Sequence, residues 1–256
     1  MTVLAEIIKG VREDLNARKL LAPNLESAIL ATVKPVDVKT LFTPGPLHVI
    51  AEVKRASPSK GDLAEIIDPA VLASQYESGG ATVVSVLTEG RRFKGSIADF
   101  KAVRAAVKMP MLQKDFVIDR YQIAEGFING GSLFLLIAAA LNDDEMQDLF
   151  TYGESLGLRA LVEIHTGEEL ERAKALNPSF IGVNSRNLKD LSVDFQVFEE
   201  LIPRIDSSTI AVAESGIASR SETKRLEELG ARAILVGETL VKSHDPIAAI
   251  HELRGI

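Results

Sequence analysis

The sequence contains no cysteine, which excludes disulfides, thiolate nucleophiles and sulfur-ligated metal sites. This absence favours a cytoplasmic location. Phosphate loops of the GxGxxG or GxxxxGK[ST] kind are also missing, so the usual motif of a nucleotide-binding open sheet is not there. The first 19 residues form a charged amphipathic segment without a continuous apolar run, which argues against a signal peptide or a membrane span.

An excess of positive charge is lacking as well, because the formal net charge is -7. This balance argues against a main role in binding nucleic acid or an anionic membrane. The histidines at 48, 165, 244 and 251 show neither HxH nor HExxH spacing, so we expect no metal and interpret them as surface or framework residues. We therefore expect a small molecule as the partner.

Apolar residues, by contrast, are plentiful enough for a core, at 46% of 256 residues. Residues 3–19 have the apolar spacing of an amphipathic helix. Residues 20–48 are rich in proline and predict short helical pieces and turns that cap one end of the main domain. We expect one domain over residues 1–256, with residues 1–47 as an N-terminal helical extension.

Eight apolar, β-branched runs lie after this extension, and each precedes a helical pattern. The predicted strands are His48–Val53, Thr82–Leu87, Pro110–Gln113, Leu133–Ile137, Ala160–Ile164, Phe180–Asn184, Ile210–Glu214 and Ala233–Gly237. The predicted helices begin near Pro69, Ser96, Tyr121, Asp143, Gly167, Phe195, Ser219 and Pro246. Eight strand-helix units predict an α/β fold, a (β/α)8 TIM barrel, with a doubly wound open sheet as the competitor.

Polar residues collect where the predicted strands end. Glu52 and Lys54 are two residues apart, so on a strand both project to the same face. Later strand ends carry Lys114, Asp115, Glu163, His165, Asn184, Arg186, Glu214, Ser215, Gly237 and Glu238. Each charge alone also fits a framework ion pair. Because a TIM barrel keeps its active site at the carboxyl ends of its strands, their convergence predicts an active site there.

These groups suggest different tasks. Lys54 and Lys114 are candidate acids or electrostatic stabilisers. Glu52, Glu163 and Glu214 are candidate bases or partners that hold the lysines. Arg186, with Asn184 on the same face, suits a carboxylate or a hydroxyl of the substrate. Phe116 follows a strand end, where its ring can stack on a planar substrate.

Glycines at two neighbouring strand ends predict a phosphate site. Ser215 with Gly216, and Gly237 with Glu238, stand where barrels of this kind bind phosphate through backbone N–H groups, although simple turn geometry is the alternative. The first loop adds Ser57, Ser59 and Lys60 as candidates to complete this cradle. The charged loop at 88–95 suits either a mobile lid or an exposed turn.

Six motifs at strand ends closely resemble the indole-3-glycerol phosphate synthase family. They are IAEVKRASPSKG (Ile50–Gly61), LQKDF (Leu112–Phe116), LVEI (Leu161–Ile164), GVNSRNL (Gly182–Leu188), AESGI (Ala213–Ile217) and LVGETL (Leu235–Leu240). The resemblance extends over essentially the whole chain. Gln113 departs from the family pattern, in which arginine or another residue is more familiar before the lysine.

The resemblance implies a TIM-barrel lyase of tryptophan biosynthesis that needs no cofactor. Its phosphorylated substrate, 1-(2-carboxyphenylamino)-1-deoxyribulose 5-phosphate, would undergo decarboxylating ring closure and dehydration to indole-3-glycerol phosphate. By its place in LQKDF, Lys114 would be the general acid at the ribulose carbonyl. Lys54 would be the acid in the dehydration, with Glu163 and Glu52 in base and orienting roles.

The remaining roles also come from the resemblance. Asn184 and Arg186 would hold the substrate, with Arg186 near the anthranilate carboxylate. The residues implied in lining the pocket or contacting the substrate and its phosphate are Ser57, Glu214, Ser215, Gly216, Gly237 and Glu238. A Schiff-base aldolase and a non-catalytic barrel that binds a phosphorylated ligand are the competing hypotheses. We expect a monomer, with a homodimer as the alternative.

Overall fold

The protein is described by a computed structural model that covers residues 2–22, 24–187 and 191–256. Leu188, the last residue of the GVNSRNL motif, lies outside the described residues. The strands are β1 (His48–Val53), β2 (Ala56–Ser57), β3 (Gly61–Asp62), β4 (Val83–Leu87), β5 (Met111–Lys114), β6 (Leu133–Ile137), β7 (Arg159–Ile164), β8 (Phe180–Asn184), β9 (Ile210–Glu214) and β10 (Ala233–Val236).

Eight of these strands close into a barrel in the order β1-β10-β9-β8-β7-β6-β5-β4. All neighbouring pairs in it are parallel. The short strands β2 and β3 form a separate antiparallel pair in the first loop after β1. The predicted (β/α)8 barrel is therefore confirmed, and the doubly wound open sheet is excluded.

Helices alternate with the barrel strands. They are α1 (Val3–Leu21), α2 (Glu26–Ala31), α3 (Pro69–Ser78), α4 (Ile97–Ala106), α5 (Arg120–Ile128), α6 (Asp143–Ser155), α7 (Gly167–Ala175), α8 (Gln196–Leu201), α9 (Arg220–Leu229), α10 (Glu238–Val241) and α11 (Pro246–Arg254). Side-chain oxygens of Asn142 and Ser219 cap α6 and α9 in full capping boxes, which fixes where these helices begin. The sequence prediction missed the short helix α10.

One strand boundary differs from the prediction in a way that affects the site. The predicted strand Pro110–Gln113 is Met111–Lys114, because Pro110 has no N–H to donate to the ladder. Lys114 therefore lies within the strand. Its carbonyl oxygen accepts a hydrogen bond of 3.1 Å from the N–H of Thr88, so the backbone that carries the lysine is held by its neighbour.

The amino-terminal end of the barrel is closed by the extension. A 3₁₀ helix, Val38–Leu41, places Val38 and the following Phe42 in the apolar cluster inside the barrel. The ring of Phe42 meets that of Phe180 edge to face, with 5.0 Å between centroids, a favourable geometry for two aromatic rings. The prediction that this part of the chain caps one end is confirmed, and the carboxyl end stays open.

A buried amide interrupts the apolar layer between strands and helices. Gln113 on β5 is 1% exposed, and within the described residues neither amide atom has a hydrogen-bond partner. Its amide oxygen lies 2.0 Å from where a Cβ on Gly126 of α5 would be, so this glycine makes room for it. Burying an amide without a partner costs about 1–3 kcal/mol.

We predict that Gln113→Met stabilises the protein. Methionine has nearly the same shape and removes the uncompensated amide, so the free energy of unfolding should rise by about 1 kcal/mol or more. Urea denaturation checks this. The matched control is Gln147→Met on the exposed side of α6, which should change stability by less than about 0.5 kcal/mol. A less stable Gln113→Met protein would contradict the expectation.

Candidate active site

A cavity of about 730 Å³ opens at the carboxyl ends of the barrel strands, a size typical of small-molecule sites. Every residue to which the sequence analysis assigned a catalytic or substrate-binding role lines it, whereas His165 does not. These residues are Glu52, Lys54, Ser57, Lys114, Phe116, Glu163, Asn184, Arg186, Glu214, Ser215, Gly216, Gly237 and Glu238. The lining also includes Val3, Leu4 and Ile7 of α1, which sequence reasoning did not place there.

The floor of the cavity is a layer of charged side chains inside the barrel. Strands β1, β5, β7 and β9 alternate around the barrel, and inward-facing residues of alternate strands stack in layers that are normally apolar. Here the layer consists of Glu52, Lys114, Glu163 and Glu214. Lys114 Nζ lies 2.8 Å from Glu163 Oε2 and 3.5 Å from Glu214 Oε2.

Two glycines on neighbouring strands leave space for these carboxyl groups. A Cβ at Gly182 on β8 would lie 2.0 Å from Glu214 Oε1, and one at Gly237 after β10 would lie 2.6 Å from Glu52 Oε1. Real Cβ atoms do not approach oxygen so closely. Both positions therefore require glycine, because the Cβ of any other residue would displace a carboxyl group of the floor.

The protonation state of each floor residue depends on its burial and on the charges of its neighbours. Burial lowers the pKa of Lys114, but the carboxylates around it raise that pKa well above its usual value. Burial raises the pKa of Glu163, yet Lys114 and His165 hold it well below its usual range. For Glu214, burial together with Glu163 and Glu52 outweighs Lys114 and raises the pKa. The floor thus contains an ion pair and a glutamate that keeps its proton more readily than usual.

The predicted same-face pair on the first strand is confirmed, because Lys54 Nζ lies 2.5 Å from Glu52 Oε1. Asn184 connects two further site residues. Its amide nitrogen donates to Glu163 Oε1 at 3.0 Å, and its amide oxygen accepts from the backbone N–H of Arg186 at 3.0 Å. Both oxygens of Glu163 are therefore engaged, one by an amide and the other by an ammonium.

Of the two alternatives for His165, a surface or a framework residue, the structure contradicts the surface location. Its side chain is only 11% exposed, and its Nε2 lies 3.5 Å from Glu163 Oε1 at the edge of the floor. The sequence contained a signal for this position. His165 is two residues after Glu163 and directly follows β7, so both side chains project to the same face. The spacing rule that found Lys54 beside Glu52 applies here as well.

Backbone geometry shapes the cavity after β9. Ser215 and Gly216 both have positive φ, +70° and +69°, and Ser215 is one of few described residues other than glycine in this region. The hydroxyl of Ser185 donates to the carbonyl oxygen of Ser215 at 3.1 Å and holds the turn. A serine in the left-handed region costs free energy, so contacts such as the one from Ser185 have to hold this turn in its conformation.

The cavity wall after β10 is cationic. The carboxylate of Glu238 accepts a hydrogen bond of 2.7 Å from Lys242 Nζ, which lowers the pKa of Glu238, and the charges of Lys60 and Lys54 lower it further. Three lysines thus surround one carboxylate. Glu238 directs its side chain to Lys242, so its negative charge is compensated by the residue that follows its own helix.

The loop Thr88–Gly95 contains an exposed turn at residues 90–92, one of the two predicted alternatives, and it is also tied to α1. The carboxylate of Glu89 accepts hydrogen bonds from three successive backbone N–H groups two to four residues further on. Arg91 forms ion pairs with two carboxylates of α1, Glu13 at 2.8 Å and Asp14 at 2.7 Å. The loop and α1 therefore form one cover at the edge of the cavity.

Phe93 of this loop packs against Phe116 after β5, with 5.8 Å between ring centroids, and both rings line the cavity. They form an apolar wall with Leu135 and Ile137. Among the described residues, no three or more histidine or acidic side chains are grouped as metal ligands. Within the same ranges, no helix has the length and apolar character needed to cross a bilayer.

Comparison with solved structures shows the fold. A 3-hexulose-6-phosphate synthase from Salmonella typhimurium has a TM-score of 0.63 at 12% identity, over 82% of this chain and 97% of that one. An N-acetylmannosamine-6-phosphate 2-epimerase from Clostridium perfringens has a TM-score of 0.59 at 19% identity, over 76% of this chain and 87% of that one. At such identities the likeness concerns the barrel alone.

Sequence comparison identifies the family. The family model described as indole-3-glycerol phosphate synthase matches residues 4–253. A protein of that name from Mycobacteroides abscessus is 49% identical over 98% of this chain and 93% of its own length, and one from Nocardioides sp. is 48% identical over 100% and 99%. Another from Kineococcus radiotolerans is 49% identical over 99% and 95%. The chain belongs to the indole-3-glycerol phosphate synthase family.

Proposed function

We propose that this chain catalyses the reaction of its family. It closes the second ring of 1-(2-carboxyphenylamino)-1-deoxyribulose 5-phosphate, releases carbon dioxide and water, and yields indole-3-glycerol phosphate for tryptophan biosynthesis. The observation that carries the proposal is the ammonium of Lys114, held 2.8 Å from Glu163 on the cavity floor. Apolar and cationic walls above this floor suit a substrate with an aromatic ring at one end and a phosphate at the other.

In the first step, Lys114 acts as the general acid. A carbon of the anthranilate ring attacks the ribulose carbonyl carbon, and the carbonyl oxygen takes the proton from Lys114 Nζ as its negative charge develops. The carboxylate on that ring carbon then leaves as carbon dioxide, and its bonding electrons restore the aromatic ring. Arg186 holds the carboxylate before it leaves, and the rings of Phe93 and Phe116 contact the aromatic part of the substrate.

In the second step, the new hydroxyl leaves as water. Lys54 supplies the proton to the departing oxygen, and Glu52, 2.5 Å from its ammonium, orients it. Glu163 takes the proton that the substrate loses as the indole becomes aromatic. Lys114 and His165 keep this carboxylate ionised in spite of burial, so it is able to accept a proton at neutral pH. Asn184 keeps Glu163 in place.

The phosphate binds at the end of the cavity built by β9 and β10. We propose as its donors the backbone N–H groups of the turn at Ser215 and Gly216 and of the turn at Gly237, because a glycine has no side chain to keep an anion away from the backbone. The hydroxyl of Ser57 and the ammonium groups of Lys60 and Lys242 add donors and positive charge. The short helix α10 has only four residues, so this proposal rests on N–H groups and lysines rather than on a helix dipole.

A Schiff-base aldolase is the strongest competing reaction, and the charge state of Lys114 argues against it. An imine-forming lysine has to be a neutral amine, which requires a depressed pKa. The pKa of Lys114 is raised instead, because the floor carboxylates favour its ammonium form. Ammonium groups donate protons, which is what ring closure and loss of water both require. The proposed reaction also needs no cofactor.

We predict that Lys114→Ala lowers kcat by about 100-fold or more, since general acid catalysis contributes on that scale. Turnover is measured by the indole fluorescence that appears with the anilino-deoxyribulose phosphate, and circular dichroism checks the fold. Lys224→Ala on the exposed face of α9 is the matched control and should keep the full rate. A folded Lys114→Ala protein with a near-normal rate would refute the role of Lys114, and an inactive wild-type protein would refute the proposed function.

We predict that Glu214→Gln stabilises the protein more at pH 8 than at pH 5. The pKa of Glu214 is raised on folding, so wild type loses stability as the pH rises from about 4.3, the value in unfolded chains, toward the folded value. Glutamine mimics the protonated form and avoids this loss, by up to about 1.4 kcal/mol per pH unit. Urea denaturation across this range measures it, with exposed Glu168→Gln expected to show a flat difference. A flat difference for Glu214→Gln would contradict the raised pKa.

We also propose that the chain works as a monomer in the cytoplasm. All candidate residues that line the cavity come from a single chain, so a second copy is not needed to complete the site. Light scattering after size exclusion should therefore give a mass near 27.7 kDa at the concentration of the activity assay. A dimer that retains activity only above its dissociation constant would contradict the monomer.

A further inference from the structure

His165 lies between two carboxylates at the carboxyl end of β7. Its Nε2 is 3.5 Å from Glu163 Oε1, and its Nδ1 is 3.1 Å from Glu169 Oε2 in the first turn of α7. The three side chains are 2 to 15% exposed, so the contacts are largely shielded from water. The proposed reaction uses Glu163, but it assigns nothing to the imidazole or to Glu169.

The far side of the imidazole is held in place by the start of α7. Glu169 Oε2 also accepts a hydrogen bond of 2.7 Å from the backbone N–H of His165, and the N–H of Glu169 donates to the N-cap hydroxyl of Thr166 at 3.2 Å. This carboxylate is therefore fixed by the backbone. A ring whose Nδ1 donates to a fixed acceptor presents its Nε2 in a defined direction, and that direction is toward Glu163.

Resting on the proposed function, we infer that His165 is a positioning residue which, as an imidazolium fixed by Glu169, compensates the charge of Glu163 while Lys114 is without its proton. In the first step the Nζ of Lys114 gives a proton to the carbonyl oxygen and becomes neutral. Glu163 then loses the cation at its Oε2. The imidazolium at Oε1 keeps this carboxylate ionised and available as the base of the second step.

The charged groups around the ring support this assignment. Glu163 on β7 and Glu169 on α7 act on the ring itself, while Lys114 on β5 and Asn184 on β8 act on it through Glu163. Burial lowers the pKa of His165, but the two carboxylates more than reverse this and raise the pKa to about 9. The ring is therefore a cation at neutral pH.

The test compares pH profiles of kcat and kcat/KM for wild type, His165→Gln and His48→Gln. Glutamine keeps a hydrogen-bonding amide and removes the charge. In His165→Gln the pKa of Glu163 rises in the substrate complex, so the acidic limb of kcat should move upward by about one pH unit, which is a tenfold loss at the pH of that limb. His48, a partly buried histidine at the opposite end of the barrel with two hydrogen bonds, is the matched control, and His48→Gln should keep the wild-type profile.

Unchanged limbs in active His165→Gln would overturn the inference, because a purely structural role lowers rate or stability without moving the profile. Glu169→Gln provides a second test that leaves His165 in the chain. In the wild-type protein, NMR titration of the imidazole assigned to His165 should give a pKa near 9. In Glu169→Gln that pKa should fall by about one unit or more. An imidazole that titrates near 6.5 in wild type would also overturn the inference, whereas an inactive wild type would refute the proposed function alone.

Discussion

The structure depends on keeping ionised groups inside a protein core. Lys114 and Glu163 lie where a TIM barrel normally has apolar side chains, and removing such ions from water costs several kcal/mol each. The cost is offset because the ammonium meets two carboxyl groups and because Glu163 has a partner on each oxygen. The glycines at 182 and 237 also allow the ions to be buried together, since they leave space for the carboxyl groups. Strand register, glycine placement and side-chain charge thus serve one arrangement.

The likeness to barrels with different names shows how little of this arrangement the fold itself dictates. Structures at 12 and 19% identity share the closed sheet and its helices, and their names belong to different reactions. In this chain the arrangement consists of one layer of charged side chains and the loops above it. A lysine with a raised pKa beside an ionised glutamate gives proton donors and acceptors within a few ångströms. An apolar wall stands on one side above them and a cationic wall on the other.

Local signals made most of the barrel predictable. Helix caps, glycines at helix ends and β-branched runs each lie within a short segment of sequence, so they predict the helices and strands. The rule that barrel sites lie at carboxyl strand ends then predicts that Glu52, Lys114 and Glu214 lie close together. Features that depend on distant contacts were missed. Arg91 and Asp14, for example, are 77 positions apart in the sequence, and no pattern in either segment predicts that they pair. The raised pKa of Glu214 was equally hidden, because it is the sum of burial and three neighbouring charges.

The cover formed by α1 and the Thr88–Gly95 loop differs in kind from the floor beneath it. Its ion pairs, Arg91 with Glu13 and Asp14, are about half exposed, and salt screens exposed pairs far more than buried ones. Ionic strength therefore acts on the two parts unequally. A saltier medium loosens the attachment of the cover, while the floor keeps its charges and geometry. The mouth of the cavity is therefore the part of the site whose ion pairs depend most on the salt concentration.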